Sequence, residues 1–485
     1  MFKGRVRSEQ SVILHLIILL IILQLAVALL TDGFALSFDE AMWHYIGRNW
    51  FRHGLVPYAG GVDNKSPLMF AIFGLSDKLF GVNYWFPRIL GTVIQSASIY
   101  YVYKITKHVA NHRAGVLAIT IYGLSLLWHG TGGKYVSYTE TYEVMFVILA
   151  FYKSLTAQSK RDMFISGLFA GIAIAFRLTA IFAVAAILIG CVRKNRSFIS
   201  PFCTGILAAL GCLLLTAFFV GINIRMMLDY MVPDNFTSGS ATDHSFAWKL
   251  HNFADKFIWS AMPLFYPFVV GYLLLKKKIN LLVFWFILAL IGIAAVGIFD
   301  AVHLKEVLPP LAIMSAACIG YFIDNYKLSP AIFITTVVFV FFPKSTEPLR
   351  NLKLLTSEKQ PTQQFCSPPY TIPDEGTRKL LGRWVRDNTN PTDMVFVAGF
   401  GAQVQAYTER ISSTIYFNVT QTPIAKQRFY SDMKHNRPAL VLVPLFPQYR
   451  QQVRADILGF VDSLVASNYT LTGCMYNYNI YTMNR

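Results

Sequence analysis

The feature that most restricts this chain is a succession of long apolar runs with short basic clusters between them. Val12–Leu30 is the first run, preceded by Lys3, Arg5 and Arg7. Further runs lie near Arg88–Ile105, Ala114–Trp128, Thr141–Leu155, Phe164–Cys191, Pro201–Val220, Phe257–Leu275, Leu281–Ile298, Val307–Phe322 and Leu328–Phe342. Helices of this length cross a hydrocarbon core of ~30 Å. The strong basic clusters, such as Arg193-Lys194-x-Arg196 and Lys276-Lys277-Lys278, fall at alternate boundaries. Basic flanks stay in the cytoplasm, which places the N-terminus inside and every cluster on the same side. Phe164–Cys191 is too long for one span and carries Arg177 near its middle, so it reads as two short helices with Arg177 at the outer bend. Gly167 and Gly171 form a GxxxG there, a pattern that permits close helix contact. The expected fold is a membrane all-α polytopic bundle of about eleven transmembrane helices.

Composition supports lipid as the solvent. Charged residues make up 14% and hydrophobic residues 54%, against roughly 25% charged in soluble domains. The net charge of +17 lies in clusters between apolar runs, as in membrane-protein loops, so nucleic acid is not an expected partner. The first apolar run lacks a small-residue cleavage site and reads as a retained span. Residues 1–343 form the transmembrane domain, with a first outer loop over 32–87. Residues 344–485 are polar and read as a small extracytoplasmic α/β domain. Its expected helices are Gly376–Asp387 and Tyr449–Ala466, and its expected strands Met394–Ala398, Ile411–Phe417 and Ala439–Val443. Cys366 and Cys474 lie in that domain, either paired in an oxidising compartment or as two unrelated thiols. No CxxC or Cys/His metal spacing occurs, so neither a metal nor another cofactor is predicted.

The first outer loop carries the chemistry. Ser37 and Glu40 have capping-box form, so a helix starts there. Met42, Trp43, Ile46 and Trp50 recur at helical spacing and predict a helix lying along the membrane surface. Glu40 is explained by the cap. Asp39 reads either as favourable charge at a helix start or as a catalytic base. Pro57-Tyr58 and Asp63-Asn64-Lys65-Ser66-Pro67-Leu68 form a turn whose lysine, beside an acid, suits a phosphate.

The ordered series Asp39-Glu40, Tyr45, Gly54, Pro57-Tyr58, Asp63-x-Lys65-x-Pro67-Leu68, Phe80-Gly81 and Arg88 resembles the first periplasmic loop of GT-C class glycosyltransferases. It is most similar to the protein mannosyltransferase-like branch that includes the lipid A aminoarabinose transferases. The resemblance implies a polyprenyl-phosphate-linked sugar donor and a lipid, glycan or protein acceptor, at the outer face of a bacterial inner membrane. It implies that Asp39 activates the acceptor and that Lys65 contacts the carrier phosphate, with Glu40, Tyr58, Asp63 and Arg88 in support. The family usually has Lys-Pro-Pro where this chain has Lys65-Ser66-Pro67. The aminoarabinose transferases have an arginine where this chain has Met42. Glu140 matches the family's second acid, with Glu143 one turn further on; alternatively it is helix-start charge. Arg177 matches a basic residue at an outer bend, where snorkelling is the other explanation. His303 and Lys305, in the outer turn Asp300–Glu306, match a basic group before a Pro-containing span and are candidates for phosphate or donor sugar.

The mechanism so implied is one displacement at the anomeric carbon, with inversion. Asp39 serves as general base and Lys65, Arg177 and His303 stabilise the leaving phosphate. The Trp-Trp-Asp signature of oligosaccharyltransferases is absent. A transporter or flippase is the alternative of another class; it predicts paired repeats, which this chain does not show. A non-catalytic scaffold would leave Asp39 and Lys65 unexplained.

Overall fold

In the computed structural model, residues 2–31, 34–128, 130–237, 245–260, 262–297, 299–326, 366, 368, 370–399, 401–415, 423–453 and 455–484 are described. Helices form over the described apolar runs, and α3, α10 and most of α11 form outside them; α2 was expected from its capping box. The helices are α1 (Phe2–Leu29), α2 (Phe38–His53), α3 (Pro67–Phe80), α4 (Trp85–Val109), α5 (His112–Ser125), α6 (Thr139–Thr156), α7 (Lys160–Phe176), α8 (Ala180–Lys194), α9 (Ile199–Phe219), α10 (Ile224–Thr237), α11 (Phe246–Ser260), α12 (Met262–Val296) and α13 (Leu308–Tyr326). The two short helices expected around Arg177 are α7 and α8, and Arg177 is the first residue past α7. Among the described residues Arg196–Phe219 is the one helix long and apolar enough to cross a membrane by itself; Ile13–Leu29, Leu264–Leu273 and Asn280–Val296 are shorter apolar helices. The expected span Leu328–Phe342 lies outside the described residues.

Lys276, Lys277 and Lys278, expected to separate two spans, fall within the bounds of α12.

The chain divides into two compact units. The first comprises Met1–Thr31, Arg88–Thr216 and Asn235–Arg350. Its core joins α4–α8, α12 and α13 through residues such as Ile119, Ile148, Ala186, Ile293 and Ile313. Phe151 packs on Trp285 with ring centroids 4.7 Å apart. The GxxxG expectation holds: a Cβ on Gly167 would fall 2.0 Å from the Phe202 carbonyl oxygen, so α7 meets α9 backbone to backbone.

The second unit comprises Asp32–Pro87, Ala217–Asp234 and Asn351–Arg485. Its later elements are α14 (Glu375–Asp387), β1 (Val395–Val397), α15 (Ala402–Thr408), α16 (Pro423–His435), β2 (Leu440–Pro444), α17 (Pro447–Gln452), α18 (Ala455–Asn468), β3 (Tyr469–Met475) and β4 (Tyr478–Met483). The sheet order is β1-β2-β4-β3, with β1 and β2 parallel and the remaining pairs antiparallel. Cys366 and Cys474 form a disulfide, Cα atoms 6.0 Å apart.

Three expectations change here. Ile411–Ile415 is not a strand. Its amides bond to side chains instead of a ladder: Ser412 N donates to Tyr45 Oη at 2.8 Å and Ile415 N to Asp432 Oδ2 at 3.3 Å. The expected helix Tyr449–Ala466 is two helices, α17 and α18, separated at Val453. The surface helix of the first loop is instead a packed one. Met42, Trp43 and Ile46 are buried, covered by α3 and α15 rather than by a membrane surface. The α2–α3 contact is close because it is built on glycine: a Cβ on Gly47 would lie 2.4 Å from Gly74 N.

Candidate functional site

Each unit holds a polar cluster built from residues expected to act. In the second unit, α2 begins with the predicted capping box. Ser37 N donates to Glu40 Oε2 at 2.8 Å, and Glu40 is fully buried. Asp39 sits beside it in the first turn, half-buried. One turn on, Trp43 Nε1 donates to Asp63 Oδ2 at 2.7 Å, tying the helix of Asp39 to the turn of Lys65. Within that turn Asp63 Oδ1 accepts from Asn64 N at 2.8 Å, and Lys65 Nζ donates to Asn64 Oδ1 at 2.8 Å. Tyr58 Oη donates to the Lys65 carbonyl at 2.7 Å. The departure from Lys-Pro-Pro has a local use: Ser66 Oγ accepts from Leu68 N at 3.2 Å and caps α3, with Pro67 in its first turn.

Behind this turn lies a buried group that sequence reading passed over. Asp77 on α3 accepts from Arg48 Nε at 3.0 Å and from Arg52, and His44 Nδ1 is 3.6 Å away. Burial alone would raise the Asp77 carboxyl, but Arg48, His44 and Arg52 hold it below its ordinary value. Burial first, then Arg48, push the His44 imidazole down to about 3. His44, Arg48 and Arg52 are spaced at i, i+4 and i+8 on α2, a basic stripe legible in the sequence.

In the first unit, four of the expected residues come together. The gap between α7 and α8 lets Arg177 leave the helix with extended backbone, and its guanidinium meets three carboxylates. Nη1 donates to Glu140 Oε1; Nε lies 3.2 Å from Glu306 Oε1 and 3.8 Å from Glu143 Oε2. Nε also donates to Thr179 Oγ1 at 2.8 Å. His303 Nε2 is 3.6 Å from the same Glu140 oxygen. Lys305 is buried nearby, donating to the Tyr135 carbonyl at 2.6 Å and to Thr141 Oγ1 at 2.8 Å. No carboxylate pairs with Lys305 among the described residues, and burial pulls its pKa well below the ordinary lysine value. Burial raises the Glu306 carboxyl, against the pull of Arg177 and Thr179. Glu306 and Thr179 were missed in the sequence, and Glu143 entered only as an alternative to Glu140. The signal was present: Glu140 and Glu143 share a helix face at i, i+3, and Glu306 follows Lys305 directly.

Arg88 stands apart from this cluster. Fully buried, it donates from Nη1 to the carbonyls of Ala28 at 3.0 Å and Thr31 at 3.3 Å, just where α1 ends. That is the chemistry of a helix C-terminus satisfied by a cation. Among the described residues no group of His, Cys, Asp and Glu side chains is arranged to hold a metal ion.

Against solved structures, the chain is similar along 99% of its length to ArnT from Cupriavidus metallidurans bound to undecaprenyl phosphate, covering 98% of that chain at 13% identity and a TM-score of 0.62. The protein has the GT-C fold. Residues 64–221 match the dolichyl-phosphate-mannose-protein mannosyltransferase family. The Archaeoglobus fulgidus oligosaccharyltransferase is similar over 89% of this chain and 69% of its own, at 12% identity and a TM-score of 0.54. The mycobacterial arabinofuranosyltransferase AftD is similar over 98% of this chain and 40% of its own, at 13% identity and a TM-score of 0.52. No curated protein matches the chain. The family model and these structures agree with the GT-C resemblance of the first loop at the level of the fold.

Proposed function

We propose that this protein is a membrane glycosyltransferase that moves a sugar from a polyprenyl-phosphate carrier to an acceptor hydroxyl at the extracytoplasmic face. The observation that carries the reading is the Trp43–Asp63 bond, which joins the helix of Asp39 to the turn of Lys65 in a chain with the GT-C fold. The similar ArnT is described bound to undecaprenyl phosphate, and the archaeal oligosaccharyltransferase with a dolichol-phosphate. A lipid phosphate is accordingly the carrier we assign here.

Asp39 takes the proton of the acceptor hydroxyl as that oxygen attacks the anomeric carbon. The bond from that carbon to the phosphate oxygen breaks, and the carrier leaves as a phosphate monoester. Lys65 offsets the charge that develops on the departing phosphate. Glu140 is assigned as the second acid, acting on Arg177 and His303. Within the cluster around Arg177, Lys305 bonds the Tyr135 carbonyl and Thr141 and has no carboxylate partner among the described residues, and burial disfavours its charge until an anion arrives. It is therefore our choice in that unit to meet the donor. The reading keeps about eleven spans, a cytoplasmic N-terminus and a C-terminal domain outside, in a bacterial inner membrane. The Cys366–Cys474 disulfide fits an oxidising compartment for that domain.

The test is purified protein with an undecaprenyl-phosphate-linked sugar and an acceptor. Free undecaprenyl phosphate should accumulate, with inverted configuration in the product. Asp39→Asn, still folded, should lose at least about a hundredfold in rate, the contribution of a general base. Full activity in Asp39→Asn removes that residue, retained configuration removes the mechanism, and movement of intact donor across vesicles without release of carrier identifies a transporter instead.

A further inference from the structure

Tyr58 is an odd residue to find in its conformation. Its φ of 68° lies in the left-handed region, which a bulky side chain rarely adopts. The surrounding structure imposes it. Tyr58 N donates to the Gly61 carbonyl at 2.9 Å, and Gly60 N and Ala59 N both donate to the Val56 carbonyl. From α2, Asn49 Nδ2 donates to the Gly60 carbonyl at 2.8 Å. The ring is fully buried and stacks on Tyr230, centroids 5.9 Å apart and planes 8° from parallel, with Phe70 edge-on against it. Tyr230 comes from the segment Ala217–Asp234, far away in sequence but part of the same compact unit. Burial, then Asp63, push the phenol well above its ordinary pKa, so the hydroxyl keeps the proton it donates to Lys65.

Strained, over-determined backbone of this kind collects where a side chain must be aimed. We propose that Tyr58 and Tyr230 form a clamp that positions Lys65, with Tyr230 fixing the Tyr58 ring and the Tyr58 hydroxyl fixing the Lys65 carbonyl. The inference rests on the reading of Lys65 as a contact to the carrier phosphate. Both tyrosines are positioning residues: they reach the lipid phosphate only through Lys65. The segment around Tyr230 therefore bears on donor binding although it carries none of the residues assigned to the reaction.

The test is a double-mutant cycle on the full-length protein in detergent, with undecaprenyl phosphate itself as the ligand and its Kd as the readout. Lys65→Met should weaken binding at least about tenfold, as expected for a lost charge-assisted bond. Tyr58→Phe keeps ring, stack and backbone and removes one neutral hydrogen bond, so it should weaken binding roughly fivefold. Tyr230→Leu should act like Tyr58→Phe, and Tyr230→Phe should match the wild type. In the Lys65→Met background Tyr58→Phe and Tyr230→Leu should have no further effect, because residues acting through one partner are not additive. The same fivefold loss in both backgrounds overturns the clamp while leaving the phosphate role of Lys65 standing. Unchanged Kd in Lys65→Met overturns that role and the clamp with it.

Discussion

Asp77 and His44 show how one buried residue can be held by its neighbours. They sit on the packed helices α3 and α2, and Asp77 takes hydrogen bonds from Arg48 and Arg52. The Asp77 carboxyl is held below its ordinary value, so its contribution to stability is present above about pH 4 and is lost as pH falls through the folded value. His44 titrates at about 3 in the fold and near 6.5 when unfolded. The unfolded chain therefore binds the extra proton first, and stability falls as pH drops from about 6.5 toward 3. At pH 4.5 this costs about 2–3 kcal/mol. Thermal melts of His44→Gln should show a visibly flatter decline between pH 6.5 and 4.5 than the wild type; equal slopes would remove His44 from the account. The split between Asp39 and Glu40 was legible because a capping box is written in four consecutive residues. The neighbours of Arg177 were legible only in part: Thr179 is two positions away, but Glu306 lies 127 positions beyond Thr179, a separation over which periodicity says nothing.

α2 and α3 were unequally visible. α2 announced itself by its cap and its apolar spacing. α3 was hidden because the Pro and Gly residues before it dominated the reading, although Ser66-Pro67 is itself a start signal. What the sequence could not show is which surface would cover the apolar face of α2. A membrane and a protein layer select the same residues, and only the Gly47–Gly74 contact and the bonds to α15 separate them. Leu36 N donates to Tyr407 Oη at 2.9 Å, and Gln403 Nε2 donates to the Leu36 carbonyl at 3.2 Å. Gly47→Ala tests the packing directly. Its Cβ would strike the backbone at Gly74 N and Phe70 O, both 2.4 Å away. A destabilisation of about 1–3 kcal/mol is expected, read as a lower melting temperature of the solubilised protein; an unchanged melt would mean that the helices separate without cost. The strand predicted at Ile411 failed for a related reason. Its β-branched composition was right, but its amides had Tyr45 and Asp432 to bond to. The hairpin of β3 and β4 was missed because its turn, Tyr476-Asn477 with both φ positive, lacks the glycine that usually marks one.

For the whole molecule, the pattern of apolar runs and basic clusters was enough to reach a polytopic helical bundle; the GT-C fold was legible only in the residue series of the first loop, from Asp39-Glu40 to Arg88. The division of the chain was harder to see, since the second unit is assembled from three separate stretches. The disulfide between Cys366 and Cys474 closes a loop across a separation of 108 residues. Loop-closure entropy assigns such a link about 4–5 kcal/mol. The Cys366→Ser/Cys474→Ser double variant should accordingly lose melting temperature and become protease-sensitive in the second unit; equal protease resistance would show the link to be dispensable. The assembly also imposes an order in time. Leu36 and its partner Tyr407 are 371 positions apart. With a ribosome adding 5–20 residues per second, the first loop waits roughly 20–75 s for the residues that will cover it. Throughout that interval α3 can already pack on α2, but the part of α2 that α15 will cover stands open, so a nascent chain of this protein needs something else to shield it.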